Sequence, residues 1–323
     1  MIKNLHCISL PTPFPVGPVN VYLSLDAPVT LIDTGPKDDA ARHALEEGLR
    51  AHGCRVEDLE QIILTHHHVD HTGLTAELAA RSHARVFTHP FNLPWLAEPM
   101  TTRTKHAPFY RRLFREGDVP EQILKEIEMI SMTVAHWAEP FAGAHAIEEC
   151  DEVNFARSRW TVFHTPGHAG GLICLWEPRS RTLLANDHIL KNISSNAIIE
   201  PPESLDASRP KRLLEYMREL ERMAKLAPAL VLPGHGETFA EASSLVAERL
   251  AFHRSRAATV HELLKAQPGS LWQLTRALFP ELRTGMDFFL GLSEAQGHLD
   301  MLMEEKKVGV RSVKEVSIWE SVD

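Results

Sequence analysis

The sequence predicts an α/β fold, because two patterns recur along the chain. Short apolar or alternating runs appear from the first ten residues onward, and each is bounded by Pro, Gly or Asp, as strands are. Stretches with apolar residues at helical spacing separate several of these runs. The chain has 323 residues, 44% hydrophobic and 24% charged, which is ordinary for a globular protein with a sizeable core.

The elements follow in chain order. The first part is predicted to contain strands at 5–10, 19–25, 29–35, 61–66 and 85–89. A helix is predicted at about 38–52, and another begins near Thr72. From 90 to about 150 the pattern becomes helical and irregular, which indicates an insertion. Further strands are predicted at 160–167, 172–178, 182–187 and 229–236, with a long helix at about 209–225.

The last 70 or so residues differ in character from the rest. Amphipathic helices are followed by the runs VGVRSV and EVSIWE, which could pair as a hairpin. Helices followed by a two-stranded wing suggest a winged-helix-like module. We therefore expect one domain at 1–250, with a helical insertion at about 90–150, and a winged-helix-like domain at 251–323.

Charge and composition exclude some classes of protein. The net charge of −9 argues against a generic nucleic-acid or acidic-membrane binder, because nothing steers the chain toward phosphates. The first residues lack the apolar run of a signal peptide, and no segment has the roughly 18 to 20 apolar residues of a membrane span. The four cysteines form no CxxC pair, so we expect reduced, mostly buried thiols in a cytoplasmic protein.

The stretch THHHVDHTG places four histidines and one aspartate within six positions. His66 and His68 are two residues apart, so at an extended strand end their side chains point to the same side and could converge on one ion. Asp70 and His71 lie in the following turn and could reach a second ion. A closed site needs more ligands than these four residues supply.

Three further candidates follow apolar strands elsewhere in the chain: His168 in TPGHAGG, Asp187 after TLLAN and His235 in LVLPGHG. Glycines frame two of them and let the backbone approach a site closely. Together the set has five histidines and two aspartates, a mixture suited to zinc, iron or manganese. A histidine-rich loop alone could be an adventitious surface site, but seven such residues at strand ends argue against that reading.

The motifs HxHxDH, TPGH, a strand-terminal Asp and PGHG together resemble those of the metallo-β-lactamase superfamily, over about residues 1–250. The resemblance implies an αββα sandwich that holds two divalent metal ions, zinc in the first place and iron or manganese as alternatives. It assigns His66, His68 and His168 to the first metal, Asp70, His71 and His235 to the second, and Asp187 to both. Asp33, in LIDTG, matches the first motif of the family and would orient the histidine loop.

Other residues near these motifs receive structural roles. His67 falls between ligands in the alternation, so we expect no metal contact from it. His188 is expected to pack beside the site rather than to bind a metal, and His164 to be structural. Cys174 lies in an apolar strand and is expected in the core.

The chemistry implied by such a centre is hydrolysis. The resemblance implies that two ions sharing Asp187 and a solvent oxygen would supply hydroxide near neutral pH and would stabilise negative charge on the attacked oxygen. Asp70 and Asp187 are therefore the expected catalytic carboxylates, with Asp70 taking part in proton handling. The substrate could carry a carbonyl or a phosphoryl centre.

Departures from known subfamilies narrow the expectation. The best-known secreted β-lactamases have Cys at the position of Asp187, and the flavodiiron proteins have an acidic residue at that of His68. RNA-processing members have a large domain between the bridging Asp and the last His, where this chain has room for little more than one helix. Asn186 replaces the usual glycine before the bridging Asp. The remaining architecture resembles glyoxalase II-like and lactamase-B-type hydrolases of thioesters, lactones and related esters.

Three alternatives stay open. The protein could be a phosphodiesterase or ribonuclease, or a regulator that binds nucleic acid through its C-terminal part. The candidate recognition stretch FFLGLSEAQGHLDMLMEE is acidic and apolar, however, so dimerisation or closure of the pocket is the favoured role of that part. A lyase or sulfur-oxidising activity on a single iron is the third alternative.

The insertion is where substrate choice is expected, because loops above a metal centre form the pocket wall. Its run TTRTKHAPFYRRLFR is basic and could bind an anionic small-molecule substrate, although a solvated helix face is the simpler reading of any single residue. The candidates are Arg103, Lys105, Tyr110, Arg111, Arg112 and, after the bridging Asp, Lys191. A homodimer is a further expectation.

Overall fold

Two facing β-sheets with helices on their outer sides form the body of the protein. The structure is a computed structural model and describes residues 2, 4–202, 204 and 207–322. The first sheet has the order β1-β2-β3-β4-β5-β6, formed by β1 (Leu5–Leu10), β2 (Val19–Ser24), β3 (Thr30–Ile32), β4 (Gln61–Ile63), β5 (Arg85–Thr88) and β6 (Ala144–Ala146). The second has the order β11-β10-β9-β8-β7, formed by β7 (Glu152–Phe155), β8 (Ser158–His164), β9 (Ile173–Glu177), β10 (Thr182–Asn186) and β11 (Leu230–Pro233).

The helices occupy the predicted intervals, and α1 matches the prediction 38–52 almost residue for residue. Their bounds are α1 (Asp39–Ala51), α2 (Val69–Thr72), α3 (Thr75–Ser82), α4 (Leu93–Ala97), α5 (Pro99–Glu116), α6 (Glu121–Val134), α7 (Arg212–Lys225), α8 (Ala242–Ala266), α9 (Leu271–Leu278) and α10 (Gly285–Glu304). Short 3₁₀ turns lie at Val56–Asp58, Pro90–Asn92 and Ala135–Trp137. The side chain of Asp38 caps α1 by accepting hydrogen bonds from the amides of Ala40 and Ala41.

Apolar side chains fill three layers. Between the sheets lie residues from both of them, including Ile32 and Ile63 from the first and Trp160 from the second. Outside the first sheet, Leu45 of α1 belongs to a second cluster, and outside the second sheet Leu220 of α7 belongs to a third. This is the expected αββα sandwich, in which each sheet buries one face against the other sheet and one against helices.

Parallel pairing decides where the strand ends meet. Strand β3 pairs parallel to β4 in the first sheet, and β10 pairs parallel to β11 in the second. The carboxyl ends of parallel neighbours lie at the same edge of a sheet. Asp33 and the histidine loop therefore leave the first sheet together, and Asp187 and His235 leave the second sheet together.

The C-terminal part consists of α8, α9, α10 and a small sheet of order β12-β14-β13, formed by β12 (Gly269–Ser270), β13 (Val308–Val313) and β14 (Val316–Ser321). The predicted hairpin is confirmed, since β13 pairs antiparallel with β14. The predicted boundary after residue 250 falls inside the continuous helix α8, and the division into domains and the winged-helix-like character stay predictions.

The helical insertion and the C-terminal part share one apolar core. Phe114 and Leu124 of the insertion belong to the same cluster as Leu292 and Leu299 of α10. The two segments are distant in sequence, so their joint packing fixes the insertion over one side of the sandwich.

Two expectations about bulk properties have different outcomes. The expectation of mostly buried cysteines is wrong for half of them: Cys54 and Cys174 are buried, whereas Cys7 and Cys150 are exposed. Cys7 lies in β1, which is an edge strand of its sheet. Within the described residues, none of the helices combines the length and apolarity needed to cross a bilayer.

Candidate metal centre

Three histidine nitrogens converge at the edge where the strands end. His66 Nε2 lies 3.0 Å from His68 Nδ1, and His168 Nε2 lies 3.0 Å from the same atom. His66 lies in a bend between β4 and α2, and His68, whose backbone is extended, precedes the first residue of α2. The two rings meet although the stretch that joins them is bent, not a regular strand end. His168 reaches the same point from the turn after β8.

The hydrogen bonds of the Nδ1 atoms of His66 and His168 show that the Nε2 atom of each ring carries the lone pair. His168 Nδ1 donates a hydrogen bond to the carbonyl of Asn196 at 2.9 Å. The hydroxyl of Thr65 donates to Asp33, so it accepts from His66 Nδ1 at 3.1 Å. The Nε2 atoms of His66 and His168 are therefore unprotonated in the neutral rings, and their lone pairs point at His68. One proton on His68 cannot satisfy both.

A second group adjoins the first. His71 Nε2 lies 3.8 Å from Asp70 Oδ2, and His235 Nε2 lies 3.6 Å from the same carboxylate oxygen. His235 Nδ1 donates to the carbonyl of Pro18 at 2.8 Å, so in the neutral ring its Nε2 is an inward-facing lone pair. Neither Nε2 has a hydrogen-bond partner although both are buried.

Asp187 lies between the two groups. Its Oδ1 is 3.6 Å from His71 Nε2, and its Oδ2 is 3.6 Å from His235 Nε2 and 3.5 Å from His168 Nε2. We refer to these seven residues as the histidine–aspartate cluster: His66, His68, Asp70, His71, His168, Asp187 and His235. The structure thus brings together every residue that the resemblance assigns to the two metals.

Asp33 holds the histidine loop in place through hydrogen bonds to its carboxylate. Its carboxylate accepts four hydrogen bonds, from the amide and hydroxyl of Thr65, from His71 Nδ1 and from the side-chain amide of Asn186, all between 2.7 and 2.8 Å. The residue is fully buried. Because His71 gives its Nδ1 proton to Asp33, its Nε2 is presented to the cluster as a lone pair, as the orienting role predicted for Asp33 requires.

The pKa values of the histidines shift in opposite directions in the two groups. Burial is the largest cause of a lowered pKa at His66, His68 and His168. Burial acts in the same direction on His71 and His235, but the carboxylates of Asp187 and Asp70 outweigh it and raise the pKa of His235 to about 10. The second group therefore requires positive charge beside its two carboxylates.

The donor set fits a metal site. The separations of 3.0 Å from His68 Nδ1 to His66 Nε2 and to His168 Nε2 are close to the roughly 3.3 Å expected for nitrogens that share a tetrahedral ion. The buried, unpartnered atoms of His71, His235 and Asp187 supply the nitrogen and oxygen ligands that zinc, iron and manganese accept. A cation would satisfy all of these atoms at once.

Comparison with known proteins agrees with this geometry. The family profile of the metallo-β-lactamase superfamily matches residues 14–235. The probable metallo-hydrolase YqjP of Bacillus subtilis (strain 168) is 35% identical over 318 residues, which cover 98% of this chain and 96% of that protein. The chain belongs to the metallo-β-lactamase superfamily.

Two further proteins resemble this superfamily member. The crystal structure of the metallo-β-lactamase family protein TTHA1429 from Thermus thermophilus has a TM-score of 0.83 and 28% identity, and the match covers 98% of each chain. The human acyl-coenzyme A thioesterase MBLAC2 is 25% identical over 220 residues, 65% of this chain and 62% of that protein. Membership and the long match to YqjP establish a metallo-hydrolase.

Asn186, which replaces a glycine usual in the superfamily, serves as part of the scaffold. Its φ of +46° lies in the left-handed region, which Asn tolerates better than most residues, and the pairing of β10 with β11 shifts register there. Its amide donates to Asp33. Gly234 lies close to both Asn186 and Asp187. A Cβ added at Gly234 would lie 2.0 Å from Asp187 Oδ1 and 2.5 Å from Asn186 Oδ1. Glycine is thus required on the opposing strand end.

The histidines predicted to be structural have other partners. His164 Nε2 donates to the carbonyl of Gly170 at 2.7 Å, and its ring stacks on His89 with centroids 3.9 Å apart. His188 is fully buried and packs edge-on against Tyr216. Neither belongs to a group of potential metal ligands among the residues that the structure describes.

Several residues beside the cluster had no sequence signal. Trp95 stacks on His67 with ring centroids 4.5 Å apart, and Glu200 Oε1 lies 3.9 Å from His67 Nε2. Glu200 is buried and pairs at 2.6 Å with the buried Arg212. These contacts join segments far apart in the chain, so no local pattern marks them.

The predicted substrate contacts are dispersed. Arg103 lies over the ring of Trp95, and the hydroxyl of Tyr110 donates to the carbonyl of Ile199 at 3.1 Å. The others are exposed: Lys105 on the surface, and three in ion pairs, Arg111 with Glu128, Arg112 with Glu116 and Lys191 with Glu237. Of the six, the structure places Arg103 against the ring that stacks on His67.

Proposed function

We propose that the protein is a binuclear metal-dependent hydrolase of small substrates with an activated carbonyl, namely thioesters, lactones and related esters. The observation that carries the proposal is the position of Asp187, whose two oxygens lie beside different groups of the cluster. A carboxylate between two sets of unsatisfied nitrogens matches the bridging role that the family resemblance assigns to it.

The residues would divide the task as follows. His66, His68 and His168 would hold one ion, Asp70, His71 and His235 the other, and Asp187 both. Two bound divalent ions, zinc in the first place and iron or manganese as alternatives, would lower the pKa of a water molecule and neutralise charge on the attacked oxygen. The side chain of Asp70 is 13% exposed against 7% for Asp187, so Asp70 is the carboxylate better placed to exchange a proton with solvent.

Two observations support a carbonyl substrate over nucleic acid. One relative, the human protein MBLAC2, is named an acyl-coenzyme A thioesterase. The stretch that could have read DNA, residues 288–305, forms most of α10, whose side chains are largely buried in the core shared with the insertion. A helix buried in this way cannot enter a DNA groove. The cytoplasmic location and the homodimer stay predictions of the sequence.

A substrate panel with a metal count tests the proposal. Protein loaded with zinc is assayed on an acyl thioester, a lactone, a β-lactam and a bis-aryl phosphodiester, while bound metal per chain is measured by elemental analysis. We expect two metals per chain and hydrolysis of the thioester or lactone, lost on chelation and restored by zinc. Hydrolysis of the phosphodiester alone would favour the nuclease alternative, and one iron per chain would favour a lyase or sulfur-oxidising reaction.

A further inference from the structure

Helix α5 carries four arginines, and their environments differ. Three lie on the outer surface with carboxylates nearby: Arg111 with Glu128, Arg112 with Glu116 at 3.9 Å and Arg115 with Glu121 at 3.1 Å. The fourth, Arg103, faces inward. Within the described part of the chain, no carboxylate lies within ion-pair distance of it, and its buried Nε has no hydrogen-bond partner.

The position of Arg103 is defined by aromatic rings. Its guanidinium carbon lies 5.3 Å from the centroid of Trp95, which in turn stacks on His67 at 4.5 Å. The ring of His67 is 4.9 Å from that of His68, a member of the histidine–aspartate cluster. The rings of Trp95 and His67 thus connect Arg103 to the cluster through successive contacts.

The buried charged side chains near Arg103 form ion pairs with other residues. Glu200 is the buried carboxylate on this side of His67, and Arg212 pairs with it at 2.6 Å while also contacting Glu215 at 2.6 Å. Tyr110, two turns further along the same face of α5, donates a hydrogen bond to a backbone carbonyl. Arginine remains protonated in proteins, so a partly buried side chain whose Nε has no partner is held at a cost in free energy. Contact with Trp95 offsets part of that cost.

Burial shifts the pKa of Arg103 in the direction expected for a cation without a nearby anion. It lowers the pKa of Arg103, whereas the carboxylate of Glu128 raises the pKa of Arg111 on the same helix. The contrast follows from geometry, because the two side chains leave α5 on different faces.

We infer that Arg103 binds an anionic group of the substrate, a carboxylate or phosphate, while the scissile carbonyl lies at the histidine–aspartate cluster. The inference rests on the proposed function and names its substrate class: small acyl compounds with a negative charge a few bonds from the ester or thioester. A guanidinium offers two parallel N–H donors to such a group, and a site closed by aromatic rings strengthens the contact. Arg103 then determines specificity and has no part in bond cleavage.

Matched substrates test the inference. The zinc-loaded enzyme is assayed on the S-methyl thioester of glutaric acid, which keeps one free carboxylate, and on the neutral S-methyl thiopentanoate. A second pair, S-acetyl-3-mercaptopropionate and S-acetyl-3-mercaptopropanol, places the charge on the thiol side. A phosphonate analogue of the first substrate distinguishes phosphate from carboxylate. We expect a preference of about tenfold or more in kcat/KM for a charged member.

Variants assign that preference to one residue. Arg103→Gln is expected to abolish it through KM, with kcat and the rate on the neutral substrate little changed. Arg115→Gln, which removes an exposed arginine of the same helix, is the control and should keep the preference. Equal rates on charged and neutral substrates in the wild type, or a preference that survives Arg103→Gln, would overturn the inference and leave the proposed function standing.

A binding measurement separates the two hypotheses. Glutarate binding to the zinc-loaded protein is followed by calorimetry, and Arg103→Gln should weaken it about tenfold or more while Arg115→Gln does not. If no thioester or ester is hydrolysed but glutarate binding depends on Arg103, the proposed function fails and the anion site stands. If binding is the same in both variants, the anion site fails.

Thermal unfolding distinguishes an anion site from a structural contact. Arg103→Met keeps an apolar stem against Trp95 and removes the charge, so without ligand we expect an unchanged or higher Tm. Glutarate should raise the Tm of the wild type and not that of the variant. A clearly lower Tm of Arg103→Met with an unaltered response to glutarate would show that Arg103 serves only to pack on Trp95.

Discussion

Two regions of the molecule concentrate buried histidines, and they use their ring nitrogens in opposite ways. In the first, which we call the buried histidine pair, His298 Nδ1 donates to the carbonyl of Glu294 at 2.7 Å. His298 Nε2 then accepts from His253 Nδ1 at 3.4 Å, and His253 Nε2 accepts from the hydroxyl of Ser194 at 3.2 Å. One neutral tautomer of each ring satisfies all four nitrogens.

The histidine–aspartate cluster has the reverse arrangement. Four of its five rings give the Nδ1 proton to a group outside the cluster: His66 to Thr65, His71 to Asp33, His168 to Asn196 and His235 to Pro18. Their Nε2 lone pairs converge on a space that holds two carboxylates, and a proton on His68 Nδ1 could serve only one of these lone pairs. The protein completes the buried pair by itself and leaves the cluster incomplete.

This difference separates a site from a core feature better than histidine density does. Both regions are buried and both contain adjacent imidazoles. Only in the cluster do outer partners fix the tautomers so that the inner lone pairs outnumber the available donors, and a cation would satisfy them. The predictions below alter one region and use the other, or a remote residue, as the control.

The largest effect is expected at the residue shared by both halves of the cluster. Asp187→Asn keeps the shape of the side chain but replaces a charged ligand with a neutral one, so we expect bound metal to fall from two ions per chain to one or fewer. Thioester kcat/KM should fall by roughly 10³-fold, since metal-ion stabilisation contributes several kcal/mol. Asp118→Asn, an exposed position, is the control. Two retained metals with activity within tenfold of the wild type would contradict the bridging role.

A smaller effect is expected from the carboxylate beneath the cluster. In Asp33→Asn, an amide would face donors from Thr65, His71 and Asn186, which costs stability and frees the ring of His71 to turn. We expect zinc affinity to fall about 10- to 100-fold, measured by competition with a chelator. Asp26→Asn removes another buried carboxylate, which accepts from Asn4 and Arg157. It should lower Tm without changing zinc affinity, and an equal loss of affinity in both variants would contradict an orienting role.

The positions of the cluster residues could be predicted because they depend on local order. His66 and His68 follow a strand, and Asp187 and His235 each end an apolar run, so the motif and the strand pattern place them together. Asp33 was assigned by the resemblance of LIDTG to the first motif of the family. The strand Glu152–Phe155 was not predicted, because four alternating residues at the end of an irregular segment give little signal.

Contacts between distant segments could not be predicted. Nothing in the sequence distinguishes Arg103 from Arg111, since both lie in one basic helix. The packing of α5 on Trp95 decides that Arg103 is partly buried while Arg111 is exposed. The contact of Glu200 with His67 has the same origin. Helix α10 looked like a recognition helix by its place before a hairpin, but its apolar residues surround the axis and bury it.

The buried histidine pair should appear in the pH dependence of stability. Burial lowers the pKa of His253 to about 3 and that of His298 to about 4, below the unfolded value of 6.5. The unfolded state therefore binds protons that the folded state does not. The contribution of the pair to the unfolding free energy is fully present above pH 6.5 and is lost as pH falls toward 4. Each ring contributes about 1.4 kcal/mol per pH unit in that window.

Urea unfolding between pH 6 and 4.5 measures this contribution. His253→Gln should make the decline of the unfolding free energy shallower by up to about 1.4 kcal/mol per pH unit, because one proton uptake is removed. His43→Gln replaces an exposed imidazole and should leave the slope unchanged. The bound metal should stay at two ions per chain in both variants. A slope that is the same in His253→Gln and the wild type would mean that the pair does not titrate as a buried unit.

The smallest effects come from deleting one hydroxyl in each region. Ser194→Ala removes the donor to His253, and Thr65→Val removes the link between His66 and Asp33 while keeping the side-chain volume. Each lost hydrogen bond should lower the unfolding free energy by about 1 kcal/mol. Only Thr65→Val should also weaken zinc binding, by a few-fold, because it frees the tautomer of a proposed ligand. If Ser194→Ala weakened zinc binding as much, the nitrogens of the two regions would be coupled, and the distinction between a complete pair and an incomplete cluster would not hold.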